Sequence, residues 1–135
     1  MEFLLICIIY TETVDQAIFL FNTALKEIKK FDFYIEWTTD MTAWLYNNLS
    51  IRLLRMTPCE VIEYPDLFKK TIENSLNFFE KHNFQLHMSI ALIRKGIYFM
   101  DIPFIYKGLN KLKEAGEDEA YKIMLQVVLD CSKKF

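Results

Sequence analysis

Residues 84–100, FQLHMSIALIRKGIYFM, decide the fold class. Phe84, Leu86, Met88, Ile90 and Leu92 alternate as they would on a strand, with Arg94-Lys95-Gly96 as a hairpin turn. The alternation fails at Ala91 and Ile93, which are apolar where an outer strand face should be polar. Wound as a helix, Phe84, Met88, Ala91 and Leu92 share one side and Leu86, Ile90 and Ile93 another. Such a helix is apolar most of the way round, as a central packed helix is. A hairpin also needs partner strands, and only "MEFLLICIIY", "DFYIEW" and "SIRLLRM" would supply them, in a rival α+β domain with a hairpin at 84–100. The helical reading is the better one, with Gly96 as its left-handed terminus.

Working outward, "LIRKG" (Leu92 to Gly96) is echoed twenty residues later by "LKEAG" (Leu112 to Gly116), which again ends in a glycine suited to a helix C-terminus. Glu117, Asp118 and Glu119 then place negative charge in a first helical turn, and Ala120, Ile123, Met124, Val127, Val128 and Cys131 form an apolar face. Pro103 suits a helix start ahead of Phe104, Ile105, Leu109 and Leu112, and Pro65 one ahead of Phe68, Ile72, Leu76 and Phe79, a helix that should reach Lys81 or His82.

Towards the N-terminus, Thr13-Val14-Asp15-Gln16 fits a capping box that starts a helix at Val14, followed by Ala17, Ile18, Phe21, Ala24, Leu25 and Ile28. Thr38-Thr39-Asp40 resembles another start, with "MTAWLYNNL" behind it, while Ser50 to Tyr64, broken by Pro58, gives no clear period. The expectation is a single all-α domain over residues 1–135, a compact bundle or short array of about six or seven helices.

Composition excludes several classes. A chain of 135 residues, 53% hydrophobic and with three Gly and three Pro, has the profile of a folded domain. Sixteen basic and eighteen acidic residues are mixed along it, for a net charge of -2, so no basic stripe invites nucleic acid. Cys7, Cys59 and Cys131 are odd in number and far apart, which points away from a disulfide framework, towards buried free thiols and a cytoplasmic location. The apolar run Phe3 to Tyr10 follows Glu2, lacks a basic flank and is too short to cross a bilayer, so it reads as core or as a homodimer contact.

Chemistry-bearing patterns are sparse. His82 and His87 stand five apart, a spacing that does not stack two metal ligands on one helical face. Cys59 and His87 are the only thiol and imidazole worth pairing, and nothing in the sequence brings them together. No phosphate-binding loop, HExxH or GxSxG occurs, so a non-enzyme without metal or cofactor is expected, with an enzyme of unfamiliar site around Cys59 and His87 as the alternative.

Two resemblances are visible. The echoed glycine-ended helices over residues 84–131 resemble helical-repeat proteins of the tetratricopeptide, HEAT or armadillo kind, which implies stacked antiparallel helices. "KLKEAGEDEAY" (Lys111 to Tyr121) is similar to the BH3 segment of apoptosis regulators, which with the size and helicity implies a divergent viral Bcl-2-like protein that would bind an amphipathic helix. It departs from that pattern by an extra acid between Gly116 and Asp118, and no NWGR-type sequence is present.

Association is the remaining kind of work. "DFYIEWTTD" and "EVIEYPD" combine aromatics with acids, so Asp32, Glu36, Trp37, Asp40, Glu60, Glu63, Tyr64 and Asp66 are candidate contacts for another protein with a basic surface. The plainer reading puts Phe33, Ile35 and Trp37 in the core and leaves the acids wet. The most concrete expectation is an immunity or antitoxin-type inhibitor that covers the basic active site of a toxin.

Overall fold

The structure is a computed structural model that describes residues 2–133, and no strand occurs among them. Eight helices follow in order: α1 (Glu2–Ile9), α2 (Val14–Lys29), α3 (Ile35–Leu54), α4 (Pro58–Glu63), α5 (Leu67–Lys81), α6 (Gln85–Phe99), α7 (Ile102–Glu114) and α8 (Asp118–Ser132). The all-α expectation holds, and the hairpin reading of 84–100 does not. The expected six or seven helices become eight because the indistinct stretch before Tyr64 holds α4. Thr57 and Glu60 close a capping box around it, with Pro58 in the first turn.

The chain divides into two compact units, Met1–Ser75 and Leu76–Phe135, with α5 running through the division. In the first unit α1, α2 and α3 pack pairwise on one another. Leu5, Ile8, Val14, Ala17, Ala24, Ile28, Leu45 and Leu53 are essentially inaccessible to solvent. Thr13 caps α2 by the predicted box, its hydroxyl accepting from the Gln16 N–H while the Gln16 side chain accepts from the Thr13 N–H. Helix α3 is longer than "MTAWLYNNL" suggested: it starts at Ile35, so Thr38, Thr39 and Asp40 lie within its first turns, and it ends at Leu54, with only the first five residues of "SIRLLRM" inside it. Their hydroxyls bond back to earlier carbonyls, Thr38 to Tyr34 (2.9 Å) and Thr39 to Ile35 (2.7 Å), so threonines that resemble caps are satisfied inside a helix.

In the second unit α6 packs on α7, and both meet α8. Gly96 does not end α6; it lies buried inside it and the helix continues to Phe99. A Cβ at Gly96 would stand 2.6 Å from Ile105 Cγ1 and 2.8 Å from the Ile105 nitrogen, and one at Gly108 2.5 Å from Ile93 Cγ1 and 2.7 Å from the Ser89 carbonyl. The two glycines therefore let α6 and α7 approach backbone to side chain, each against the other's isoleucine.

The true helix ends are Asn83, Met100 and Gly116, all with positive φ (60°, 55° and 74°). At each, the next residue's N–H reaches a carbonyl five back: Phe84 to Phe79, Asp101 to Gly96, Glu117 to Leu112. These are Schellman ends, repeating every 16 or 17 residues rather than the twenty of the sequence echo. Pro65 precedes α5 by a turn instead of opening it, because α5 begins at Leu67. The predicted apolar face of α8 is only partly covered, with Met124 buried and Ile123 exposed. None of the three cysteines is fully buried: Cys59 is exposed, and Cys7 and Cys131 are half-buried.

Candidate functional site

The first unit gathers half of the predicted contact residues at one place. After α2 the chain turns through residues 30–34 and enters α3, with the Tyr34 N–H on the Phe31 carbonyl (2.8 Å). Thr38 Oγ1 donates to the carbonyls of Phe31 (2.8 Å) and Tyr34 (2.9 Å), which pins the turn to the helix that follows it.

On this turn the aromatic side chains face outward. Phe33 and Ile35 are each 72% exposed, Tyr34 60% and Trp37 37%, so the plainer reading that buried Phe33, Ile35 and Trp37 is corrected. The cause is position along the helix. The buried residues of α3 are Met41, Ala43, Leu45, Asn48, Leu49, Ser50, Arg52 and Leu53, so Ile35 and Trp37 lie in the first turns, ahead of the first buried residue. Phe33 precedes the helix and belongs to no buried stripe.

The exposed rings pack on each other. Phe31 meets Trp37 edge to face with centroids 5.3 Å apart, and Phe33 lies 4.4 Å from Tyr34. A cleft of about 320 Å³ opens between Tyr34, Ile35, Glu36 and Trp37. Asp32, Glu36 and Asp40 are exposed around these rings, and none of the three side chains makes a hydrogen bond or ion pair among the described residues.

The second predicted segment is built differently. Glu60 Oε2 accepts from the Val14 N–H (2.9 Å) and Arg52 Nη2 (3.3 Å), while its Oε1 accepts from the Thr57 N–H (3.1 Å). The Thr57 N–H above all holds the Glu60 carboxyl below the usual carboxylate range; burial, the next largest effect, opposes it, and Val14 and Arg52 add to the lowering. Arg52 is itself buried, its Nε donating to the Thr11 carbonyl (3.0 Å) and its Nη2 to the Glu12 carbonyl (3.2 Å). Tyr64 donates its phenol hydrogen to Asp15, and that bond above all pushes its pKa up to about 12. The carboxylate of Glu60 and the phenol of Tyr64 thus serve the joint between α2, α3 and α4. Glu63 and Asp66 are exposed beside them.

Sequence reasoning missed Phe31, Phe33 and Tyr34 as surface residues. The signal was their place between Lys29-Lys30 and Asp40, in a run with an acid at every fourth residue from Asp32. It also missed an apolar groove of about 820 Å³ between α1 and α2, with Phe3, Ile6, Tyr10 and Phe19 on its walls. Among the described residues no three His, Cys, Asp or Glu are grouped to hold a metal ion, and no helix is long and apolar enough to cross a membrane. The BH3-like stretch Lys111 to Tyr121 spans the end of α7, the Gly116 turn and the start of α8, so it is two helices rather than one. No protein-family model, no curated protein and no solved structure matches the chain.

Proposed function

We propose that the chain acts by binding another protein through the acidic and aromatic patch at residues 31–40. The observation that carries this reading is the outward display of Phe33, Tyr34 and Ile35 on a turn pinned by Thr38. Rigid exposed rings offer large contact area at small ordering cost. The side chains of Asp32, Glu36 and Asp40, without a partner among the described residues, favour a partner with basic groups around an apolar centre, and they speed encounter more than they tighten the complex.

In its most specific form the partner is a toxin of nuclease type whose basic active site the patch occludes, in the manner of an immunity or antitoxin protein. The slight acidity of the chain and the unpaired carboxylates support that form.

The test uses the partner purified by capture on the tagged chain. Phe33→Ala with Trp37→Ala should speed dissociation and cost roughly 2–4 kcal/mol of affinity, as central aromatic contacts do. Asp32→Lys, Glu36→Lys and Asp40→Lys together should slow association, most at low salt. The charge variant should keep the wild-type melting temperature, and the aromatic variant should remain folded at a lower one, since Trp37 packs on Phe31. A partner bound with unchanged rates by both variants removes the patch from the interface, and a partner without toxicity removes the inhibitor form.

A further inference from the structure

Helix α1, EFLLICII, carries no polar residue after Glu2. A helix apolar all round is stable when covered all round. One side of α1 is covered, with Leu5 and Ile8 fully buried, and Asn48 Nδ2 donates to the Leu5 carbonyl at 3.0 Å. The other side is open: Phe3 is 80% exposed, Tyr10 75% and Ile6 44%. Beside it α2 contributes Phe19, 68% exposed, and Leu20, and the groove runs between the two helices.

We infer that this face is covered by a second copy of the chain, with α1 packed antiparallel on α1 of the other copy about a two-fold axis near Cys7. Three features carry the choice of occupant. The patch holds both halves of a fit, a ridge of Phe3 and Ile6 on α1 continued by Tyr10 just beyond it, and a trough beside it closed by Phe19, so a two-fold operation lays ridge into trough twice. The area is sufficient: three aromatics exposed by two thirds or more, with part of Ile6, supply roughly 500 Å² per copy and about 1,000 Å² in all, the lower bound for a specific interface. The acids Glu12 and Asp15 line only one end of the groove, after Tyr10. A parallel pairing would set the two acidic ends against each other, whereas an antiparallel pairing sends them to opposite ends.

The surface differs from the patch at 31–40. Phe19 and its neighbours lie in the first half of α2, and the patch follows the end of that helix, so both can be occupied at once.

Cys7 lines the groove midway between Phe3 and Tyr10, which makes it a reporter of the axis. The full chain with Cys59→Ser and Cys131→Ser is examined by sedimentation equilibrium at about 50 μM, a concentration suited to an interface of this size, and by reaction with a short bismaleimide. The expected result is twice the 16.2 kDa chain mass and a covalent dimer through Cys7. Phe3→Glu with Phe19→Glu should weaken the dimer at least 100-fold and abolish the cross-link, and Tyr10→Lys should weaken it independently. Circular dichroism shows whether each variant is folded. A monomeric chain overturns the inference, and so does a monomer whose groove takes up an amphipathic helical peptide. A dimer that survives both variants, or that Cys7 does not bridge, uses another face and overturns it equally.

Discussion

The two units hold their helices together by opposite means. In the first, long polar side chains cross between elements: Arg52 on α3 reaches the loop after α1, Glu60 on α4 reaches the N-terminus of α2, and Asn48 reaches the Leu5 carbonyl. In the second, missing side chains do the joining, because Gly96 and Gly108 let α6 and α7 close on each other's isoleucines. A polar link tolerates some separation between helices but must be complete, since an unpaired buried group is costly. A glycine contact has no polar requirement and leaves no room for a single methyl group.

Arg52→Ala breaks the first arrangement and should have the largest effect, about 3 kcal/mol, because it strands the Thr11 and Glu12 carbonyls and removes the cation beside Glu60. Hydrogen exchange should quicken in α1–α4 while α6–α8 keep their protection. Uniform loss of protection throughout the chain would show that the two units do not open separately. Arg52 Nη1 is buried without a hydrogen-bond partner, so the network already carries one unmet donor and has little in reserve.

Gly108→Ala is the matching break in the second unit. The clash with the Ser89 carbonyl and Ile93 costs about 3 kcal/mol, and the better helix propensity of alanine returns about 1, for a net loss of about 2. Its exchange signature should be the reverse of that for Arg52→Ala. An unchanged melting temperature would mean that α6 and α7 separate at no cost.

A smaller effect isolates the polar link by pH. The Glu60 carboxyl has a lowered pKa in the folded chain, so its contribution to stability is present above its unfolded pKa and is lost as pH falls through the lowered value. Glu60→Gln should therefore cost about 1–2 kcal/mol at neutral pH, and the gap from wild type should close in acid. Thermal melts from pH 7 to pH 3 measure it, and a gap independent of pH would separate the role of Glu60 from its charge.

The smallest expected change sharpens the comparison by stabilisation. Met100 holds a left-handed terminus that Gly116 holds without strain, and Met100 is largely exposed, so Met100→Gly should gain about 1 kcal/mol. A loss on that substitution would show that the Met100 side chain packs more tightly than its exposure indicates.

Much of the helical pattern was legible. The capping box at Thr13 to Gln16, the apolar spacing from Phe68 to Phe79 and the glycine terminus at Gly116 are local devices, each set by side chains within one turn of the backbone they act on. Gly96 defeated the same reasoning, because a glycine required for packing and a glycine required for positive φ are identical in sequence. Glu60 and Tyr64 defeated it for a related reason. A carboxylate or phenol among charged residues reads as surface until its partner, 46 and 49 residues away, is known.

The sequence by itself determined the helical class and the starts of α2, α7 and α8, since capping and periodicity are short-range. Only the tertiary structure decided which apolar and acidic residues stay outside. Phe33, Ile35 and Trp37 have the composition of a core, yet Phe33 precedes α3 and Ile35 and Trp37 lie in its first turns, ahead of the first buried residue, Met41. Phe3, Tyr10 and Phe19 likewise face out because Leu5 and Ile8 take the inner side of α1, and burial is a property of the neighbours a residue meets rather than of the residue alone.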